Sequence, residues 1–381
     1  MLNRAHDAYV VHVAGVRDGE ALETLCRTTA VIAAVGVKQV LLDYGHGAGA
    51  IWPAALPVEV RPLRATGPSL FAKVRALQSA FSTLACERML YAVHLHGAGP
   101  CLLGSHALKG TALPGRVLYS PHLAHAGSSW TVALLSRLLQ RFLQPHDCAA
   151  VTASLAEAQT LSRLLNRSAE VLPNPVDAMF FEVDRRESAR PDVLVDGFGA
   201  EAVEVVTRLS ILLNARASRV AIAWLSAAGA EPRARLHAAN VEVLDVADEA
   251  ARARLLSKAW AYVHLAAGNR VPYGVAQAMA AGVPCLVSDT PSHRALIRHG
   301  ETGFVCTSER DLLERLIHVL RDAEERQDIS EAARAEAKRR FTSKHFEKAI
   351  LRAYGFSSIA KGPARALQVV RMEKARHEIT L

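Results

Sequence analysis

Cysteine is scarce and scattered in this chain. The six residues Cys26, Cys86, Cys101, Cys148, Cys285 and Cys306 include no CxxC pair. That excludes a cysteine-rich zinc site and a disulfide framework, and predicts buried free thiols in a reducing compartment. Aromatic residues make up only 6%, which argues against base-stacking platforms for single-stranded nucleic acid. No helix-turn-helix spacing, zinc finger or aromatic-basic RNA motif is present, so nucleic acid is not an expected partner. No apolar run approaches the roughly 18 residues needed to span a bilayer. Residues 1–7 are polar and the first apolar stretch contains His12, which does not read as a secretory signal. Together these absences predict a cytoplasmic protein.

The 381 residues are enough for about two domains, and half of them are hydrophobic. The formal net charge of +8 suits an anionic partner such as a phosphorylated substrate or a membrane surface. Short apolar runs alternate with helix-length segments, the pattern of an α/β fold with parallel strands. Strands are expected at residues 9–13, 40–43, 58–62, 89–96, 116–120, 148–152 and 169–172. Helices are expected at 19–34, 69–88, 129–143 and 154–165. Near Pro173-Asn174-Pro175 two prolines bar both helix and central strand, and then the pattern restarts. Strands are expected at 192–196, 220–225, 241–246, 262–265 and 285–288, with helices at 200–216, 250–258 and 275–281. Residues 309–340 read as mostly helix, with Leu312, Leu313, Leu316 and Leu320 on one stripe. Two doubly wound halves result, each able to bind a ligand beyond the carboxyl ends of its strands.

Residues 264–306 are the most informative segment: strand, loop, helix, strand, loop. The loop before Ala278-Met279-Ala280 and the helix N-terminus after it suit an anion, because free N–H groups and the helix dipole both favour negative charge there. Pro272, Ala278-Met279-Ala280, Gly282-Val283-Pro284, Ser288-Asp289 and Gly300-Glu301-Thr302-Gly303-Phe304 fall in register with a known signature. The segment resembles the donor-binding region of family 4 glycosyltransferases. Pro173-Asn174-Pro175-Val176-Asp177 resembles that family's domain junction, and Ser120-Pro121-His122 its N-domain strand ending in a functional histidine. Asp18-Gly19-Glu20-Ala21 is similar to its glycine-rich first loop.

The resemblance implies a GT-B fold: α/β, with two doubly wound Rossmann-like domains facing across a cleft. Residues 1–173 would form the acceptor domain and 176–345 the nucleotide-sugar domain. Residues 346–381 would be a helix or basic tail returning to the N-domain. The implied reaction moves a hexose from a nucleotide-diphospho-sugar to a glycan or lipid-linked acceptor, with retention, in bacterial envelope or exopolysaccharide synthesis. The family needs no metal and no cofactor besides the donor. Docking on the inner face of the cytoplasmic membrane fits the basic charge. On the family register, Gly19, Asn269, Arg270, Val271, Pro272, Tyr273, Gln277, His293 and Arg294 would meet the donor. His122 would lie near the reacting carbon.

Two departures stand out. The family's pair of glutamates is replaced by Asn269 and Gln277. An amide carbonyl still accepts hydrogen bonds from hydroxyls, at a cost of about 1–2 kcal/mol per contact relative to a carboxylate. The family's Arg and Lys after the first C-domain strand are also absent: 195–203 holds Asp196 and Glu201 but no base. Leaving-group stabilisation by a fixed cation is normally a large catalytic contribution, so Arg270 or Arg294 would have to supply it. Otherwise the chain is a non-catalytic paralogue, a binding subunit or partner of an active transferase. A GT-B epimerase would need cleft carboxylates, for which Asp18, Glu20 and Asp43 are the candidates. His94 and His96 end another strand; they are read as lying on its opposite faces, packed or exposed, and without a metal-ligand partner at useful spacing.

Overall fold

The structure, a computed structural model, describes residues 8–15, 19–44, 58–63, 67, 69–87, 89–109, 116–122, 137, 148–153, 155–165, 168–172, 174–197, 199–216, 220–225, 229–246, 248–266 and 272–356. The chain divides into two units: 1–172 together with 347–381, and 173–346.

The first unit is built on a parallel seven-stranded sheet. Its strands are β1 (Ala8–Ala14), β2 (Lys38–Asp43), β3 (Glu59–Pro62), β4 (Met89–His96), β5 (Arg116–Ser120), β6 (Cys148–Thr152) and β7 (Ala169–Val171), in the spatial order β3-β2-β1-β4-β5-β6-β7. Helices α1 (Gly19–Ala34), α2 (Leu70–Glu87), α3 (Ala98–Leu108) and α4 (Leu155–Leu165) belong to this unit. Period-two alternation sorts the side chains. Val11, Val13, Val93 and Leu95 pack with Val74, Leu77 and Phe81 of α2. The intervening His12, His94 and His96 point to the other face.

The second unit repeats the plan. Its strands are β8 (Asp192–Gly197), β9 (Ala221–Trp224), β10 (Val241–Val243), β11 (Ala261–Leu265), β12 (Cys285–Ser288) and β13 (Phe304–Cys306), in the order β10-β9-β8-β11-β12-β13. Helices are α5 (Ala178–Glu182), α6 (Ala200–Arg216), α7 (Ala230–Ala238), α8 (Glu249–Leu256), α9 (Tyr273–Ala280), α10 (Pro291–Leu296), α11 (Glu309–Arg321) and α12 (Ala323–Arg340). One apolar cluster joins Val193, Val195 and Val263 to α6 and α11. A second joins Leu194 and Tyr262 to α5, α8, α9 and α12. Helices therefore cover both faces, as a parallel sheet requires.

A last helix, α13 (Ser343–Ala353), leads into Tyr354 and Phe356. Tyr91 Oη donates to the Tyr354 carbonyl at 2.9 Å, and Phe356 stacks on Tyr91 at 4.8 Å. This segment thus packs on β4 of the first unit.

Several expectations are corrected. His94 and His96 do not lie on opposite faces. Residues two apart on a strand share a face, and their rings are 3.7 Å apart. Residues 309–340 form two helices. Asp322 breaks them with extended backbone, and its carboxylate caps α12 by accepting from the Glu325 N–H. The expected helix at 129–143 lies outside the described residues, apart from helical Arg137. Among the described cysteines, Cys101, Cys285 and Cys306 are buried, Cys26 is half-buried and Cys86 is exposed; all are free thiols. No helix of the described residues is long and apolar enough to cross a membrane.

Candidate functional site

In a doubly wound sheet, ligands bind at the carboxyl ends of strands where the strand order reverses. In the second unit that point lies between β8 and β11. Asp196 and His264 are register partners there. With Tyr262 they project from the same sheet face, because 262 and 264 are two apart and Tyr262 pairs with Leu194.

Asp196 and Tyr262 converge on Arg252, which α8 delivers. The Arg252 guanidinium is ion-paired with the Asp196 carboxylate and donates to Tyr262 Oη at 3.0 Å. The tyrosine hydroxyl in turn donates to Asp196 Oδ2 at 3.0 Å. Burial opposes the Arg252 charge, but Tyr262 and Asp196 overcome it and hold the guanidinium ionised. Burial, and then the Asp196 charge, push the Tyr262 phenol well up. The start of α9 rests on this cluster. A Cβ on Gly274 would collide with Tyr262 Oη and fall 2.7 Å from Arg252, so only glycine lets the helix N-terminus approach so closely.

Gln277, one turn into α9, is buried and donates through Nε2 to Glu249 Oε1 at 3.2 Å. Glu249 opens α8 and is exposed. A carboxylate therefore stands beside the amide, supplied by a different helix. Pro272 is the N-cap position of α9. Tyr273 anchors that end of the helix by donating to the Pro175 carbonyl at 2.9 Å. Asn269, Arg270 and Val271 lie outside the described residues.

His293 is buried in α10, and both its ring nitrogens are engaged. Nδ1 lies 2.6 Å from the Ser288 carbonyl, which only accepts, so Nδ1 carries the hydrogen. Nε2 then accepts from His264 Nδ1 at 2.8 Å. Burial holds both imidazoles below their ordinary range, with His264 at about 4. His293 is thus a neutral support beneath the site, one ring removed from Asp196. Arg294 is two-thirds exposed and its guanidinium is held by Asp289. Arg294, the expected cation that lies within the described residues, and the unexpected Arg252 are therefore both paired with carboxylates.

In the first unit Gly19 opens α1. His122 follows β5 and Pro121, half-buried, with a left-handed φ of 53°. For a non-glycine residue that conformation costs about 1–3 kcal/mol and clusters at functional sites. His122 lies close enough to His94 and His96 for its charge to disfavour theirs.

Asp196, Glu249, Arg252, Tyr262 and His264 were not among the residues expected from sequence to form the donor site. Arg252 and Tyr262 are 56 and 66 residues from Asp196, so no local spacing advertises the cluster.

The glycosyl transferases group 1 family model matches residues 233–336, which span Glu249, Arg252, Tyr262, His264, Gln277 and His293. No curated protein is significantly similar in sequence. Among solved structures, a glycosyltransferase from Rickettsia africae is similar with a TM-score of 0.71 at 10% identity, covering 91% of this chain and 98% of that one. The lipopolysaccharide outer core galactosyltransferase WaaB gives 0.70 at 13% identity, covering 91% and 98%. Anabaena HepE, solved in complex with UDP and glucose, gives 0.68 at 15% identity, covering 91% and 99%. The chain has the GT-B fold of these structures, and its residues 233–336 match the glycosyl transferases group 1 family model.

Proposed function

We propose that the chain moves a hexose from a nucleotide-diphospho-sugar to a hydroxyl of a glycan or lipid-linked acceptor, with retention, as a member of glycosyltransferase family 4. The observation that carries this reading is the Gln277–Glu249 pair, which joins the helix after β11 to the helix after β10. The resemblance assigns ribose binding to position 277. Glu249 supports it with the charged acceptor that Gln277 lacks, and charge assistance roughly doubles such a hydrogen bond. Pro272 and Tyr273 set the helix N-terminus toward the diphosphate, with Asn269, Arg270 and Val271 contributing from the preceding loop. Arg294 and His293 both lie on α10, and His293 acts through His264. Gly19 and His122 belong to the first unit, with His122 near the reacting carbon. Transfer of this kind uses the donor's own leaving group and needs no metal.

The basic balance favours an acceptor attached to a lipid diphosphate, in bacterial envelope or exopolysaccharide synthesis. Leu70 and Phe71, each about two-thirds exposed at the start of α2, stand beside Lys73 and Arg75. That mixture of apolar and cationic side chains suits peripheral docking on the inner face of the cytoplasmic membrane.

A second reading is favoured by one observation. Asp196 sits where the resemblance implies a cation, and its charge is already matched by Arg252. A site so neutralised binds without stabilising a departing diphosphate, as in a non-catalytic partner of an active transferase. The test is release of UDP or GDP from UDP-glucose or GDP-mannose, with membrane lipid extracts as acceptor source. The transferase reading predicts acceptor-dependent release that falls at least tenfold in Glu249→Ala. Donor binding with no release from either donor supports the partner reading.

A further inference from the structure

The first unit carries a cluster that the proposed transfer does not use. His12 on β1 and His94 and His96 on β4 are all buried, each with 2% exposure or less. One nitrogen from each ring lies within 4.8 Å of the other two. β1 and β4 flank the reversal of strand order in this sheet, and His12 is the register partner of His94.

The hydrogen bonds around the cluster fix two of the three tautomers. Gln39 Nε2 donates to the Thr29 carbonyl at 2.8 Å, so Gln39 Oε1 is the atom that faces His12. His12 Nε2 lies 3.0 Å from it and must donate. The lone pair of His12 is therefore on Nδ1. Ser120 Oγ donates to the Val151 carbonyl at 3.0 Å, so it accepts from His94 Nε2 at 2.8 Å. The lone pair of His94 is likewise on Nδ1, where it accepts from Tyr354 Oη at 2.5 Å. No group outside the trio, among the described residues, dictates the form of His96. Its Nε2 lies 3.1 Å from His12 Nδ1, and its buried Nδ1 has no partner among the described residues.

We propose that His12, His94 and His96 bind a late first-row transition-metal ion of the zinc class, as a structural site. Imidazole nitrogen is the preferred donor of these ions, whereas calcium and magnesium require oxygen. Gln39 and Ser120 hold the outer nitrogens of two rings, the arrangement that orients metal-binding histidines. His96 is free to supply either nitrogen. When Nε2 binds the ion, the ring hydrogen moves to Nδ1. Two nitrogens on a tetrahedral zinc at about 2.0–2.1 Å are about 3.3 Å apart, close to the His12–His96 separation. When the ion takes the His94 Nδ1 lone pair, Tyr354 Oη gives up its hydrogen bond to that nitrogen and its oxygen faces the open fourth position. The site would tie β1 to β4 and, through Tyr354, fasten the returning C-terminal segment to the first unit.

The test uses the full-length chain, stripped with chelator and titrated with CoCl2. His318, Asp322 and Glu325 form an exposed cluster that also offers ligands, so His318→Ala serves as the control. The expected result is one equivalent of cobalt with the visible absorption of a four-coordinate ion. It is retained in His318→Ala and lost in His96→Gln, and zinc raises the thermal midpoint of the parent chain. Absence of both the absorption and the midpoint shift overturns the proposal, as does an absorption that disappears in His318→Ala. Should His96→Gln fail to fold, X-ray absorption on the cobalt-loaded parent decides. A shell with three imidazole nitrogens supports the site, and an oxygen-dominated shell refutes it.

Discussion

At the scale of single residues, the second unit is organised by a buried charge that the sequence places in plain view and leaves unexplained. Asp196 ends a strand where a carboxylate is costly, and its partner comes from a helix 56 residues away. Sequence reading could name the missing cation there. It could not find Arg252, because pairing across β8, α8 and β11 has no periodic signature. Position 277 shows the same limit: the loss of a glutamate is legible, while the carboxylate returned by Glu249 is visible only in three dimensions. The Asp196–Arg252 pair is nearly enclosed, with the two side chains 10% and 16% exposed. Removing one partner of such a pair costs about 3–5 kcal/mol, because the other charge is stranded. Arg252→Met is expected to lower stability by that order in urea unfolding, and the double variant Asp196→Asn, Arg252→Met to recover most of it. Equal losses in the single and double variants would show that the pair is not what holds the cluster.

At the scale of elements, strands and amphipathic helices were legible from period and spacing: α1, α4, α6 and the seven strands of the first sheet match the expected runs closely, as do β8, β9, β11 and β12 of the second, whereas β10 is shorter than expected and the three-residue β13, read as loop, was missed. The helices that escaped notice have physical reasons. α3 is apolar nearly all round and contains glycine and proline (AGPCLLGSHAL), so no face declares itself. α7 and α10 are short, and α10 holds the buried polar residues Ser292 and His293. The break at Asp322 was hidden inside a continuous helical pattern. An aspartate within such a run reads as a surface charge, and its capping of α12 emerges only in three dimensions. Caps of this kind are testable. Ser308 accepts from the Asp311 N–H at the start of α11. Ser308→Ala is expected to cost about 1 kcal/mol, and Ser308→Asp to cost little. Equal losses in both variants would argue against the cap.

At the scale of the whole molecule, both units place neutral histidines beside the point where strand order reverses. Burial holds His12 at about 4 and lowers His94 and His96 well below their ordinary range, while His264 sits at about 4 and His293 is also lowered. Unfolded histidine titrates near 6.5. Between these values the unfolded chain binds more protons than the folded one, so stability is full above about pH 6.5 and is lost as pH falls toward 4. His12 alone accounts for about 3 kcal/mol of that loss. Urea midpoints are expected to drop steeply between pH 7 and pH 5; a flat profile would mean that these histidines are protonated in the folded chain.

The repeated strand order makes two Rossmann-like units, and the second carries the region shared with glycosyl transferases group 1. The central claim is that its switch point binds a nucleotide diphosphate. Isothermal calorimetry of UDP, GDP, UDP-glucose and GDP-mannose against the full chain and Gln277→Ala tests it most directly. The account predicts saturable micromolar binding of one nucleotide series, weakened at least tenfold in the variant. A folded chain that binds none of the four, or binds them equally well without Gln277, would contradict it.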